Sequence, residues 1–188
     1  MAFTGLIKFH YAKQLTDEPG VGATYDTPKP VGAAISLSET PTTSMTTLYA
    51  ENGPSETAAA NGPTAAEIGV KDLTDEVLAD LLGQTINADG VRIQSRNDTA
   101  PYVALGFQMT SESGDDAFVW LFKGKFARPS RTANTKGESV EFNTPTITAT
   151  FISRDFDGEE KATIRKNATN SAITDSWFEA VYEPVPTP

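Results

Sequence analysis

The chain has 188 residues, of which 25 are acidic and 15 basic, and its formal net charge is -10. An acidic surface repels the phosphates of nucleic acids, so we expect no tight nucleic-acid binding, and the absence of cysteine excludes disulfides and thiolate chemistry. Hydrophobic residues make up 38% of a chain that is long enough for one sizeable core, which predicts a single globular domain.

Alternating apolar and polar residues near the start of the chain predict β-strands. Leu6, Phe9 and Tyr11 follow this pattern, and it returns over residues 33–37. The first residues contain no basic stretch followed by an apolar run, and the longest apolar run, 117–122, is far shorter than the about 20 residues that cross a bilayer. We therefore expect synthesis in the cytoplasm and no membrane partner.

The segment 39–63 has the least regular pattern in the chain. It is rich in Thr, Ser, Ala, Gly and Pro, with one apolar island at Leu48, Tyr49 and Ala50. Loops of this length without secondary structure are uncommon in compact domains and are usually functional or disordered. Two interpretations stay open: an arm that becomes ordered only against something outside the monomer, or a long surface hairpin that packs on its own domain.

Residues 73–83 break the strand pattern and predict a short amphipathic helix. Thr74 is an N-cap residue, two acids follow it in the first turn, apolar residues recur at positions 77, 78, 81 and 82, and Gly83 marks the end. A weaker candidate runs from Asp175 to Val181 as a final helical turn or a strand. Its aromatic residues predict docking onto the body of the protein.

The second half of the chain contains the clearest strands. Residues 102–110 and 117–125 are joined by a polar segment with Gly and Asp, which predicts a β-hairpin. Residues 144–152 alternate strictly, with threonines on one face and apolar side chains on the other. A turn at 156–159 leads into 161–166, which we predict to be the partner strand of 144–152.

The sequence offers no evident catalytic or cofactor site. His10 is the single histidine and, without cysteine, supports neither a Ser-His pair nor a zinc site, so a structural or surface role is expected. The pair Gly20 and Gly22 lacks the third glycine of a dinucleotide-binding motif. The acids at 115–116 and 155–160 do not follow the spacing of a calcium loop, and solvated turns are the better interpretation.

Several separated segments are distinctive as an ordered set. They are TLYAENGP at 47–54, LTDEVLADLLG at 73–83, PYVALGF at 101–107, WLFKGKF at 120–126, TKG at 135–137 and FNTP at 142–145. In this order they resemble the major tail proteins of siphophages, the bacteriophages with long, flexible, non-contractile tails. The similarity extends over residues 3–182, and one departure is Glu51, where the family more often has Asp.

The resemblance implies a mainly β fold, namely a β-sandwich tail-tube domain over 1–183 with one short flanking helix, a long inter-subunit loop or arm at 39–63 and a flexible tail at 184–188. It implies rings of six copies that stack into the tail tube of the virion, through which DNA leaves without specific binding. The expected partners are the chain itself, a tape-measure protein, a tail terminator and distal tail proteins, with no cofactor, metal ion or catalytic residue. The residues expected to mediate self-association are Thr47, Leu48, Tyr49, Ala50, Glu51, Asn52 and Pro54.

The acidic composition agrees with this role, because a basic lumen would hold DNA by counterion release whereas an acidic wall lets it slide. A receptor- or carbohydrate-binding β-sandwich module is the alternative. It is supported by Thr-rich strands and by Trp120 and Phe122, although core packing explains these two aromatic residues more simply. A carboxylate-dependent hydrolase comes third, since acids in exposed turns lack the burial that separates their pKa values.

Overall fold

The computed structural model describes residues 2–130, 135 and 143–184. Positions 136, 137 and 142, which belong to the segments that carry the resemblance, and positions 185–188 of the predicted tail lie outside the described residues. The strands are β1 (Phe3–Glu18), β2 (Gly22–Tyr25), β3 (Lys29–Gly32), β4 (Ala34–Ala50), β5 (Gly53–Val70), β6 (Thr85–Ile86), β7 (Arg92–Ile93), β8 (Val103–Ser111), β9 (Ala117–Phe126), β10 (Thr146–Ile152) and β11 (Lys161–Arg165). The helices are α1 (Asp75–Leu82) and α2 (Ser171–Asp175), so the mainly β class predicted from the sequence is confirmed.

The main sheet is antiparallel and continuous. Its strands are hydrogen-bonded in the order β2-β1-β8-β9-β10-β5-β4, with β3 pairing to β1 and β11 to β9, while β6 and β7 form a separate small hairpin. Only Ala33 separates β3 from β4, which lies at the opposite edge of the sheet beside β5. Because one residue spans less than about 4 Å, the sheet must curl until its two ends meet. The predicted sandwich layers are therefore parts of one sheet that closes around a core.

The inner face of the curled sheet holds the larger apolar core, and α1 covers one side of it. Each fully buried aliphatic or aromatic side chain contributes roughly 1.5–3 kcal/mol to folding. The least exposed members of this core are Phe9, Ile68, Val70, Leu81, Val103, Leu105, Phe107 and Ile147.

Helix α1 begins and ends where the sequence predicts. The hydroxyl of Thr74 accepts a hydrogen bond from the backbone N–H of Val77 at 3.3 Å, which satisfies one free amide of the first turn. Gly83 ends the helix in the left-handed region, with φ of 66°, and a Cβ there would collide with the carbonyl oxygen of Thr99. Leu78, Leu81 and Leu82 face the core, as the predicted amphipathic pattern requires.

A smaller core lies on the outer face of β1, β8 and β9. The segment that follows α2 covers it, and Trp177 docks there with 4% of its surface exposed. The indole N–H of Trp120 donates a hydrogen bond to the Trp177 carbonyl at 3.0 Å. Docking of the C-terminal aromatic residues and core packing of Trp120 and Phe122 are thus confirmed. The short helix, however, ends at Asp175 and lies before these aromatic residues instead of containing them.

The predicted hairpin of β8 and β9 and the two-residue alternation of β10 are confirmed, with Ile147, Ala149 and Phe151 buried and the threonines exposed. The predicted pairing of 161–166 with β10 is wrong, because β11 pairs with β9. Strand β10 reaches along β9 only over 123–126, so the free part of the β9 edge, 117–121, remains available to β11.

Candidate self-association surface

The segment 39–63 is a regular antiparallel ribbon formed by the distal halves of β4 and β5. The two strands pair from Ala34 with Val70 to Ala50 with Gly53. Strand β10 accompanies β5 only as far as Thr64, and beyond that point no other described strand pairs with either strand. We call residues 43–61 the arm. Eight residues of β4 in the arm extend about 26 Å at about 3.3 Å per residue.

The tip of the arm is a two-residue turn. Glu51 and Asn52 connect Ala50 to Gly53, and both have a positive φ, 51° and 66° respectively. Two successive left-handed residues identify a type I′ turn, whose twist matches that of the flanking strands. Asn tolerates this region well, whereas Glu does so at a cost, and Asp is better tolerated there. This explains in physical terms why Asp at position 51 suits this turn.

The apolar side chains of the arm are exposed to solvent. Met45 is 72% exposed, Leu48 60% and Tyr49 70%. Because side chains alternate along a regular strand, Met45 and Thr47 lie on one face of the ribbon and Leu48 on the other, and the pairing register shifts between Leu48 and Tyr49. A two-stranded ribbon is marginally stable in water by itself, and here both of its edges carry backbone groups without a described partner strand. The arm therefore exposes apolar side chains and two edges without a described partner strand to solvent.

The structure corrects both interpretations of segment 39–63 in part. The segment is a pair of strands and not an irregular loop, and from Thr43 outward most of its side chains are exposed instead of packing on the described parts of the domain. The sequence pattern did not predict these strands, because Thr, Ser and Ala occur on both faces and alternating positions therefore do not differ in hydrophobicity. Of the seven predicted self-association residues, all lie in the distal part of the arm; Thr47 is half-buried and Leu48, Tyr49, Ala50, Glu51, Asn52 and Pro54 are exposed.

A buried ion pair positions the turn between β10 and β11. The ammonium group of Lys123 lies 2.6 Å from Asp17 and 2.7 Å from Asp155, and its side chain is 5% exposed. Burial alone would raise the pKa of Asp17, but hydrogen bonds from the backbone N–H groups of Asp155 and Phe156 and from Lys123 lower it below its ordinary value. These contacts hold the turn that precedes β11 against β1 and β9.

Arg154 ties the same turn to the C-terminal segment. Its fully buried guanidinium lies 3.9 Å from the centre of the Phe122 ring and forms ion pairs with Asp157 and Glu183. Asp155 and Asp157, which the sequence analysis placed in a solvated acidic turn, are therefore both engaged with cations. Among the described residues, no group of three His, Cys, Asp or Glu side chains is arranged to hold a metal ion.

The single histidine has a packing role in the structure. The ring of His10 stacks on Phe178 at 4.7 Å, and its Nδ1 lies 3.1 Å from the carbonyl oxygen of Lys8. Burial lowers the pKa of His10, which favours the neutral imidazole. No helix in the described ranges is long and apolar enough to cross a membrane.

Asp80 of α1 anchors the helix to the sheet. It accepts hydrogen bonds from Lys13 at 2.6 Å, from the Tyr11 hydroxyl at 2.8 Å and from Lys29 at 3.1 Å. Burial opposes ionisation, but these three donors outweigh it and lower the pKa of Asp80 from 3.8 to about 2. A pKa that is lowered in the folded state stabilises the fold above the unfolded value, and this stabilisation is lost as the pH falls from 3.8 towards 2.

We expect Asp80→Asn to lower the free energy of unfolding by about 2 kcal/mol at neutral pH, since the carboxylate loses its three charge-assisted contacts. The variant should also lose much of the pH dependence of stability below pH 4, which urea titrations at several pH values would measure. Asp75→Asn is the matched control, because the Asp75 side chain is 61% exposed in its ion pair with Arg92. Equal losses in both variants would contradict the anchoring role of Asp80.

Comparison with known proteins gives a structural neighbour and no family. No protein-family model matches the chain, and no curated protein has significant sequence similarity to it. The cryo-EM structure of the anti-feeding prophage cap, the AFP tube terminating cap, is similar at a TM-score of 0.43 and 10% sequence identity, over 88% of this chain and 95% of the cap chain.

Proposed function

We propose that this chain is a structural subunit of a phage tail, located in the virion, which assembles with copies of itself through the arm. The observation that carries the proposal is the ribbon of residues 43–61, which has no described strand along either edge and which exposes Met45, Leu48 and Tyr49. Exposed long edges and apolar tips invite aggregation unless a partner covers them. A second copy of the chain is a partner that is present wherever the first copy is, and at the same concentration as the first copy.

A projecting arm suits assembly into rings and tubes. A contact between two different surfaces of the same chain is heterologous, and it closes into a ring or extends without limit, depending on the rotation it imposes. The finer part of the proposal is a stack of hexameric rings that forms the tail tube of a siphophage. This finer part rests on the sequence segments whose order along the chain resembles that of siphophage major tail proteins. The same resemblance supplies the tape-measure, terminator and distal tail proteins as proposed partners.

An architectural role without catalysis is part of the proposal. The net charge of -10 favours a wall along which DNA slides without specific binding. Trp120 and Phe122, on which a carbohydrate-binding role would depend, are 0% and 1% exposed and so unable to stack on a sugar. Asp155 and Asp157, two of the acids on which a hydrolase role would depend, form ion pairs with Lys123 and Arg154.

Concentration-dependent assembly of the purified protein tests the proposal. Sedimentation velocity over a wide concentration range should show a species that grows beyond the monomer of 20.1 kDa, and negative-stain microscopy of the concentrated sample should show rings or tubes. Added monovalent salt should change assembly, because an acidic subunit repels its copies at low ionic strength. A protein that remained monomeric at every concentration and salt tested would contradict the proposed function.

A further inference from the structure

We propose that the free edge of β11 receives the arm of a second copy, which adds to the sheet there as an extra strand. This inference rests on the proposed function and deepens it, because it assigns the receiving surface. Strand addition at an open edge gains affinity from main-chain hydrogen bonds and specificity from the side chains that alternate along it.

Strand β11 offers one side of its backbone to solvent. At its two ends, the carbonyl of Glu160 accepts from the Phe122 N–H at 3.0 Å, and the Lys166 N–H donates to Asp116 at 2.8 Å. In an antiparallel pair, every second residue faces the partner strand. Even-numbered residues therefore bond to β9, and the backbone groups of Lys161, Thr163 and Arg165 point away from it.

Among the described residues, little uses the outward side of the β11 backbone. The Arg165 carbonyl accepts a hydrogen bond from the side chain of Asn170 at 2.7 Å. No described strand other than β9 pairs with β11, and Thr163, at its centre, has an exposed side chain. The inward residues Ala162 and Ile164 pack against the outer core and hold the strand in place. The edge is thus preformed in the monomer.

Among the described strands, none fills the space beside β11, because β5 and β4 diverge from the main sheet there to form the arm. Strands β10 and β11 lie end to end along the same edge of β9, and β5 accompanies β10 but departs at Thr64. A cleft of about 140 Å³ lies at the departure point, lined by Pro41, Thr64 and Lys161 among others. Lys161 spans it to Glu39 at 2.6 Å. No strand of the described residues occupies the position beside Thr163 that β5 would have continued to fill, which leaves it available to a strand from another molecule.

Charge identifies the arm as the occupant. Glu51 and Glu56 are the only charged residues between positions 40 and 63, whereas the residues of β11 and the one that follows carry cations and no acid. Of those cations, Lys161 and Lys166 are paired with Glu39 and Asp175. Opposite charges on two edges select the register and partner of an added strand.

Arg165 is the cation left for the incoming strand. Its guanidinium lies 5.2 Å from the centre of the Phe3 ring and has no carboxylate partner in the described chain. Glu56 lies on the ribbon opposite Leu48 and likewise forms no ion pair with a described residue. If the arm of a second copy lay along β11 on its Glu56 edge, the Glu56 carboxylate would come close to Arg165. The arm, at about 26 Å, is longer than the about 16 Å of β11, so one arm covers the whole edge.

Thr163→Pro tests the edge directly. Proline removes the outward N–H of residue 163 and places its ring in the path of an added strand, but it spares the bonds to β9, since those belong to the even-numbered residues. We expect the concentration needed for assembly to rise by at least about tenfold, as one main-chain bond is lost and the others are displaced. Thr163→Val is the matched control, which keeps the N–H and the β-branched shape and should assemble like the wild type.

Arg165→Glu gives a second test that leaves the backbone intact. It should also raise the assembly concentration, with a greater effect at low salt. Arg96→Glu is the control, because it makes the same charge change at an exposed loop position that forms no ion pair with a described residue. Glu56→Lys combined with Arg165→Glu should recover part of the loss. Circular dichroism would show whether each variant is folded, and if Thr163→Pro were not, Arg165→Glu would decide the test.

The outcomes separate this inference from the proposed function. If the wild type does not assemble, the proposed function fails and the inference fails with it. If the wild type assembles, and folded Thr163→Pro and Arg165→Glu both assemble at the wild-type concentration, the proposed function stands and β11 is not the receiving edge. Assembly that is lost in these variants and retained in Thr163→Val and Arg96→Glu supports the assignment.

Discussion

Replacement of residues 45–59 by Asn-Gly is expected to produce a folded monomer that does not polymerise. Ser44 and Ala60 face each other in the ribbon, so the two-residue insert rebuilds a type I′ turn between them and leaves the register of the remaining strands unchanged. The core is untouched, because Met45, Leu48 and Tyr49 contribute nothing to either apolar cluster. The melting temperature should remain close to that of the wild type.

The loss of assembly should be large. Burial of Leu, Met and Tyr side chains in an interface is worth roughly 1.5–3 kcal/mol each, and the truncated arm also loses its strand edges. We expect the assembly concentration to rise by about a hundredfold or more, beyond what sedimentation velocity and electron microscopy of concentrated protein detect. Tubes of normal length from the truncated chain would refute the role of the arm.

A milder pair of variants controls for general changes of surface hydrophobicity. Leu48→Ala with Tyr49→Ala keeps the ribbon but removes its apolar anchors. Leu15→Ala with Val21→Ala removes two similarly exposed apolar side chains, 65% and 73% exposed, from outside the arm. The first pair should weaken assembly, and the second pair should leave it unchanged if association depends on the arm rather than on apolar surface in general.

Trp177→Ala is expected to cost about 3–5 kcal/mol of folding free energy, the largest loss that we predict for a single substitution. The indole is 4% exposed, stacks on Tyr182 at 5.1 Å and meets the Phe118 ring edge-on at 6.4 Å. Its removal leaves a cavity on the outer face of the sheet and weakens the attachment of the whole C-terminal segment. Denaturant titration followed by tryptophan fluorescence or circular dichroism measures the loss.

Ile173→Ala is the matched control for Trp177, because it lies in the same segment but is 46% exposed. It should cost less than about 1 kcal/mol, as expected for a half-exposed side chain. Comparable losses in the two variants would show that the segment does not depend on docking of the indole. Limited proteolysis offers a second readout, since release of residues 171–184 should precede global unfolding in Trp177→Ala alone.

Local patterns predicted those elements whose signals are contained within a few neighbouring residues. The Thr74 cap, the terminal Gly83 and the apolar spacing between them determine α1 by themselves, and the strict alternation of 146–152 determines which face of β10 is buried. The hairpin of β8 and β9 follows from two apolar runs and a polar turn. Each of these predictions needed no knowledge of the rest of the chain.

The candidate site was predicted in part. Sequence reasoning placed the seven residues predicted for self-association in one long segment, and the structure places them at its distal end, while their role in association stays a prediction. It did not single out β11, the receiving edge proposed above, although the segment KATIRK at 161–166 alternates small or apolar residues with exposed ones and has three cations without an acid. That signal has meaning only once the strand is known to lie at an edge.

The sequence by itself therefore determined the strand-rich class, helix α1, the main hairpin and the acidic, cysteine-free character of the chain. The tertiary structure decided that the Thr-rich segment is a paired ribbon, that β11 joins β9 rather than β10, and that Lys123 and Arg154 are buried among carboxylates. The physical reason is the separation along the sequence of the residues that each interaction joins. Caps, turns and alternation act between residues a few positions apart, whereas strand pairing and buried ion pairs join residues such as Asp17 and Lys123, which are 106 positions apart, once the sheet has closed.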